Sequence, residues 1–303
     1  MVQEGKDKPE PAAETTDAQR SHGKMRTLLV CHDGANLDLV GLGRWLGSFS
    51  ELTGVIVLQE KKSRLGRRIR REIKRVGLAR FLDVIAFRFY YKLFLAASDH
   101  QWEQTTLAEL SRVYADPGDV PILFTHSPNS AEAEQFISER KVDIMLLRCK
   151  SLLKENIFSL PAVGTFVMHP GICPEYRNAH GCFWALANND LEHVGMTLLR
   201  IDKGVDTGPI YGYYSYGFDA RTESHIRIQT RVVLENLPAL EKRLTEIYHG
   251  EAAPLDVQGK KSATWGQPWL SRYLKLKRQA RLSHAIGSRA QGGAEGSGGL
   301  NDR

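Results

Sequence analysis

Short apolar runs alternate with longer amphipathic segments along this chain, and that rhythm constrains it to crossover units on a parallel sheet. Runs at 26–31, 54–59, 121–125, 143–147 and 165–168 are dominated by Leu, Val, Ile, Met and Phe and read as buried strands. Helical spacing predicts helices over 38–49 and 131–140, the second capped by Asn129 or Ser130. A short helix is predicted over 181–188, and strands over 194–201 and 210–217 on either side of a turn at Asp206. Further on, Ile226, Val233, Leu237, Leu240, Leu244 and Ile247 form a helical stripe that Pro238 should kink or split. The predicted class is α/β, a mostly parallel sheet flanked by helices, with a basic helical insertion and a helical C-terminal extension.

At 303 residues the chain is long enough for one large α/β domain or two modest ones. Residues 1–23 hold almost no large apolar side chains and lack the apolar stretch of a signal peptide, so they read as a disordered leader. Residues 24–220 read as the catalytic domain, with an insertion over 61–97; 221–286 form the extension, and Gly/Ser/Ala-rich 287–303 a flexible tail. The four cysteines, Cys31, Cys149, Cys173 and Cys182, show no CxxC or Cys/His ligand spacing. That pattern predicts neither a metal site nor a disulfide framework, and it fits a reducing, cytoplasmic setting. No apolar run reaches the length of a membrane span.

Chemistry concentrates in two places. His169 follows the run Phe166-Val167-Met168 and precedes Pro170-Gly171, so its ring projects from the carboxyl end of a strand, where open parallel sheets place their ligands. Asp206 lies in Lys203-Gly204-Val205-Asp206-Thr207-Gly208-Pro209, where two glycines permit a tight loop and the carboxylate is suited to orient or charge an imidazole. An imidazole and a carboxylate at neighbouring strand mouths suit acyl chemistry, in which a proton leaves an attacking amine while charge builds on a carbonyl oxygen. Between them, Glu175 and Arg177 read as a loop-fixing ion pair. A weaker signal is Gly34-Ala35-Asn36 after the first strand, a turn whose amides would meet an anion at a helix N-terminus. It has neither the three-glycine dinucleotide fingerprint nor a P-loop lysine, which leaves NAD and ATP without their binding device.

The ordered set His-Pro, Pro-x-Tyr-Arg, Gly-Met-Thr-Leu and Asp-x-Gly-x-Asp-Thr-Gly-Pro-Ile, strongest over 164–210, resembles the formyltransferases that use 10-formyltetrahydrofolate. The resemblance implies a Rossmann-like formyl-transfer domain, with His169 and Asp206 as the catalytic pair. It also implies a folate donor lying along the sheet's carboxyl edge near Gly34, Ala35, Asn36, Pro170, Gly204 and Thr207, and no metal. The family carries Asn two residues before its motif histidine; here that position is Val167, which cannot donate to a formyl oxygen. One oxyanion donor is worth about 2.7–4 kcal/mol. Asn178 or His180, on the adjacent loop, each has an N–H that valine lacks. The resemblance implies transfer to the amine of a small, anionic acceptor such as a nucleotide sugar. Formyltetrahydrofolate hydrolysis and a catalytically reduced folate-binding protein remain the alternatives. No barrel of the kind that methionyl-tRNA formyltransferases append is evident, which argues against a tRNA acceptor.

The segment 61–80 holds ten Lys/Arg against one acid, Glu72, with Leu65, Ile69, Ile73 and Val76 at helical spacing. It reads as a basic amphipathic helix that attracts an anionic acceptor, RNA or an acidic membrane surface, in a chain of net charge +6. Around Trp265 and Trp269 the extension becomes basic, and Lys275, Lys277, Arg278 and Arg281 read as a solvated helix face.

Overall fold

The computed structural model describes residues 23–60 and 65–294. The strands are β1 (Arg26–His32), β2 (Glu51–Leu58), β3 (Ile122–Thr125), β4 (Ile144–Arg148), β5 (Gly164–His169), β6 (Arg177–Asn178), β7 (Met196–Arg200), β8 (Ile210–Tyr214) and β9 (Thr264–Trp265). Seven of them form one sheet in the order β3-β2-β1-β4-β5-β7-β8, parallel through β5 and antiparallel where β7 and β8 join. The helices are α1 (Gly43–Phe49), α2 (Leu65–Val76), α3 (Leu78–Phe94), α4 (Ala96–Val113), α5 (Ala131–Glu139), α6 (Glu155–Phe158), α7 (Gly181–Ala187), α8 (His225–Leu234), α9 (Leu237–Tyr248) and α10 (Leu270–Ala294).

Alternation along the strands explains why the apolar runs are continuous. Leu29, Cys31, Val55 and Val57 point into the core beneath α1, whereas Leu28, Val30, Ile56 and Leu58 point to the opposite layer with Ala133 and Ile137 of α5. Both faces are covered, so the middles of the inner strands are apolar on both sides, and the buried threonines Thr27, Thr53 and Thr165 are each hydrogen-bonded. This is the predicted α/β class.

Local differences from the sequence reading have physical causes. Strand β2 begins before Gly54, which looked like a boundary; a Cβ there would stand 2.8 Å from the Phe136 ring, so the glycine admits α5 rather than ending the strand. The helix expected over 38–49 opens as a π-helical stretch, Leu37–Leu42, that carries Asp38. The stripe at 226–247 does split: α8 stops at Leu234, and Pro238 sits in the first turn of α9, where its missing N–H costs nothing. The stretch 65–113 forms three helices, with Gly77 at φ +81° separating α2 from α3, and α4 was not anticipated. The backbone at 287–294, read as part of a flexible tail, continues helix α10, while 1–22 and 295–303 lie outside the described residues. Glu175 does not pair with Arg177: it faces Lys260 at 3.9 Å, and Arg177 donates to the Val205 carbonyl at 3.1 Å, because the chain between them turns into β6.

Among the described residues no helix is long and apolar enough to cross a membrane.

Candidate active site

A cavity of about 780 Å³ opens at the carboxyl ends of β1, β4 and β5, where ligands of open parallel sheets sit. His169, the last residue of β5, is 5% exposed. Its Nε2 lies 2.9 Å from the Tyr176 carbonyl oxygen, an acceptor only, so Nε2 carries the proton and donates it there. That bond leaves Nδ1 facing the Asp206 carboxylate at 3.6 Å. The carboxylate is itself held by the Asn178 backbone N–H, which donates to Asp206 Oδ2 at 2.7 Å.

Left-handed backbone gathers here. Asp206, Asn178 and His180 have φ of 52°, 75° and 58°, a conformation uncommon outside glycine and concentrated at functional sites. The Asp206 loop is closed by Asp202, whose Oδ1 accepts from the Gly204 N–H at 2.8 Å and from Thr207 Oγ1 at 2.7 Å. Gly208 is required there, since a Cβ would stand 1.9 Å from the Arg200 carbonyl oxygen.

The residues singled out in the sequence separate into three groups. His169, Pro170, Asn178, His180, Gly204, Asp206 and Ala35 border the cavity. Thr207 acts one step back, through Asp202. Gly34 lines a neighbouring depression, and Asn36, at the start of the π-helical stretch, makes no side-chain capping bond and does not line the cavity. Val167 lies on the same face of β5 as His169 and forms part of the cavity wall. Asn178 donates its side-chain amide to the Trp265 carbonyl at 2.6 Å, whereas His180 Nδ1 is buried without a partner.

Other contributors had little or no local signal. Arg148 at the end of β4 pairs with Asp38 at 3.0 Å and donates through Nη1 to the Met168 carbonyl at 2.9 Å, bracing the strand just before His169. A cation closing an otherwise apolar strand was the available clue. The segment around Trp265 arrives from the extension. Strand β9 pairs with β6, Trp265 stacks between Tyr176 and Trp184, and Gly266 and Gln267 join the cavity wall. Arg75 of α2 packs against Gly266, so α2 forms a further wall.

The thiols are poor nucleophiles. Burial pushes Cys149 up to about 11 and Cys31 and Cys182 up to about 12, and it raises Cys173 as well. Among the described residues no group of three or more His, Cys, Asp or Glu is placed to hold a metal ion.

Burial, with Lys150 adding to it, pushes His180 down to about 4, and burial beside His180 holds His225 well below the ordinary 6.5. Between pH 6.5 and about 4 the unfolded chain therefore takes up protons that the folded chain refuses, so stability falls as acid is added across that window. Tm measured against pH is expected to drop through this range, and His225→Phe to flatten the drop. Phenylalanine suits the site because His225 packs on the rings of Phe87, Phe183 and Tyr273, and its Nδ1 has no partner to lose.

An α/β sheet with a braced imidazole–carboxylate pair at its carboxyl edge defines a protein equipped for acid–base chemistry on a bound small molecule. Residues 105–241, which include both His169 and Asp206, match the formyl transferase family. The chain is 34% identical over 107 residues to the methionyl-tRNA formyltransferase of Kosmotoga olearia, covering 35% of this chain and 33% of that protein. It is 28% identical over 137 residues to the Thermotoga maritima methionyl-tRNA formyltransferase, covering 45% and 39%. The chain thus spans about a third to two-fifths of the length of these curated relatives. A solved phosphoribosylglycinamide formyltransferase from Anaplasma phagocytophilum superposes with a TM-score of 0.48 at 14% identity, covering 81% of this chain and all of that one. The likeness to this family thus lies over the part of the chain that carries His169 and Asp206.

Proposed function

We propose that this protein transfers a formyl group from 10-formyltetrahydrofolate to the amine of a small, anionic acceptor. The observation that carries the reading is His169: its Nε2–H is committed to the Tyr176 carbonyl, so Nδ1 presents a lone pair into the cavity beside Asp206. A folate donor fits the cavity, whose Leu147, Val167 and Leu199 walls are apolar while His169, His180 and Asp206 converge from one side.

Bound there, the donor supplies a formyl carbon open to attack by an amine. His169 Nδ1 takes the proton that the attacking amine gives up, and the nearby Asp206 carboxylate stabilises the resulting imidazolium. As the bond between the formyl carbon and the donor nitrogen breaks, the imidazolium returns that proton to the departing tetrahydrofolate nitrogen. Val167 contributes shape but no hydrogen. Since Asn178 spends its amide on Trp265, His180, which borders the cavity and whose ring is neutral at physiological pH, is the better candidate for the missing donor. Lys150 borders the same cavity and favours an anionic acceptor, since Arg75 and Lys203 there are paired with Glu72 and Glu155, and the size of the cavity favours an acceptor over water alone.

The test is release of tetrahydrofolate from 10-formyltetrahydrofolate by the purified protein, with and without a panel of phosphate-bearing amines, beside His169→Ala. Release that depends on an amine and disappears in the variant is expected. Amine-independent release would replace the transferase with a hydrolase, and tight folate binding without release would replace it with a binding protein.

A further inference from the structure

Helix α3 carries apolar side chains on the side that should be polar. Val84 and Phe87 face the core, but Leu78, Leu82, Phe89 and Leu93, spaced by four, eleven and fifteen residues, fall within about 60° of one another on the opposite side. These four are 58% to 73% exposed, and Phe94 beside them is 67% exposed. An amphipathic helix on a globular protein normally turns charged residues outward, and a contiguous exposed apolar strip marks an interaction surface.

The charge around the strip is of one sign. Arg88 and Lys92 flank it and are exposed, and Arg70 and Lys74 are exposed on the preceding helix α2. The one acid of α3, Asp83, is engaged by the backbone N–H and hydroxyl of Ser271. Where the C-terminal end of α3 meets α10, a further cavity of about 490 Å³ is lined by Leu95, Leu274 and Leu282 together with Arg278 and Arg281, whereas Lys277, read in the sequence as part of a solvated face, turns inward and donates to the Ala220, Arg221 and Glu223 carbonyls. Leu274 and Leu282 are themselves about half exposed.

We propose that this face seats the protein on an anionic bilayer surface, with the α3 strip entering the headgroup–acyl boundary and the flanking cations meeting lipid phosphates. Apolar insertion combined with a basic rim is the arrangement of interfacial helices, which lie on a membrane without crossing it. A second copy of the chain fits less well, because self-contact would bring Arg88 and Lys92 against their own counterparts with no acid to oppose them. RNA would use the cations and the two phenylalanines but gain nothing from three exposed leucines.

Co-sedimentation of the full chain with vesicles of equal parts phosphatidylcholine and phosphatidylglycerol, against phosphatidylcholine alone, tests this. Binding to the anionic vesicles is expected, and weaker binding to the neutral ones. Phe89→Ser with Leu93→Ser should lower the affinity on the order of a hundredfold. Arg88→Gln with Lys92→Gln should lower it on the order of tenfold. All four positions are exposed, so far-UV circular dichroism and folate turnover should match the parent chain. Equal affinity for the two vesicle types would overturn the proposal, as would binding unchanged by the Phe89/Leu93 pair. So would a chain that ignores vesicles but dimerises through Phe89 and Leu93, or binds single-stranded RNA instead.

Discussion

Asp206→Asn is expected to cut formyl turnover by about 10²–10⁴ while leaving stability within about 0.5 kcal/mol of the parent chain. The two halves of that expectation have separate causes. Asparagine is among the few non-glycine residues that accept the left-handed backbone Asp206 adopts at φ 52°, and its amide oxygen still accepts the Asn178 N–H now bonded at 2.7 Å. Loop geometry is therefore kept. What disappears is the negative charge 3.6 Å from His169 Nδ1, and with it the stabilisation of the imidazolium that forms as the amine loses its proton. Turnover followed by tetrahydrofolate release, with urea denaturation in parallel, reads both quantities. Unchanged turnover would mean that Asp206 only shapes the loop, and His169 would lose its acid–base role in the same stroke. Asp206→Ala should lose activity and stability together, because it removes the acceptor as well as the charge.

The parts of this site that could be read in the sequence are those carried by local pattern. The run ending in Met168 placed His169 at a strand mouth because an apolar strand followed by Pro-Gly has one exit, and the glycines around Asp206 announced a tight loop. The partners that fix those residues are remote and unmarked. The Asn178 amide reaches Trp265 across 87 residues, through a two-strand ladder too short to leave a periodic signal. A side chain that looked like a free donor thus ties the segment around Trp265 to the loop that follows His169. Helix α4 was missed for a related reason. It presents Gln, Thr and Glu over much of its surface and buries only Asp99 fully, bonded to Ser224 and paired with Arg227 of the extension. Its place is set by tertiary contact, which weak amphipathic patterning does not encode.

Gly181→Ala should destabilise the protein by about 3 kcal/mol, at the upper end of overpacking penalties, and lower turnover at the same time. Gly171 and Gly181 pack back to back where the loop after His169 meets helix α7. A Cβ on Gly181 would stand 2.5 Å from Gly171 Cα, 2.8 Å from the Tyr176 carbonyl oxygen and 2.9 Å from that of Pro170. All three neighbours are backbone, so no side chain is available to rotate away. The methyl group must push the loop off α7, and the loop carries the Tyr176 carbonyl that fixes the His169 tautomer through its 2.9 Å bond to Nε2. Freed from that acceptor, the imidazole no longer holds Nδ1 toward Asp206 as an unprotonated nitrogen, so chemistry suffers beyond the loss of folded protein. Urea denaturation gives the stability change, and turnover per folded molecule gives the rest. Gly171→Ala meets the same wall from the other side, with Tyr176 O at 2.6 Å and Gly181 Cα at 2.9 Å, and the double variant should cost less than the sum of the two. A Gly181→Ala chain as stable and active as its parent would mean that the loop and α7 part easily, and that His169 is positioned by something other than Tyr176.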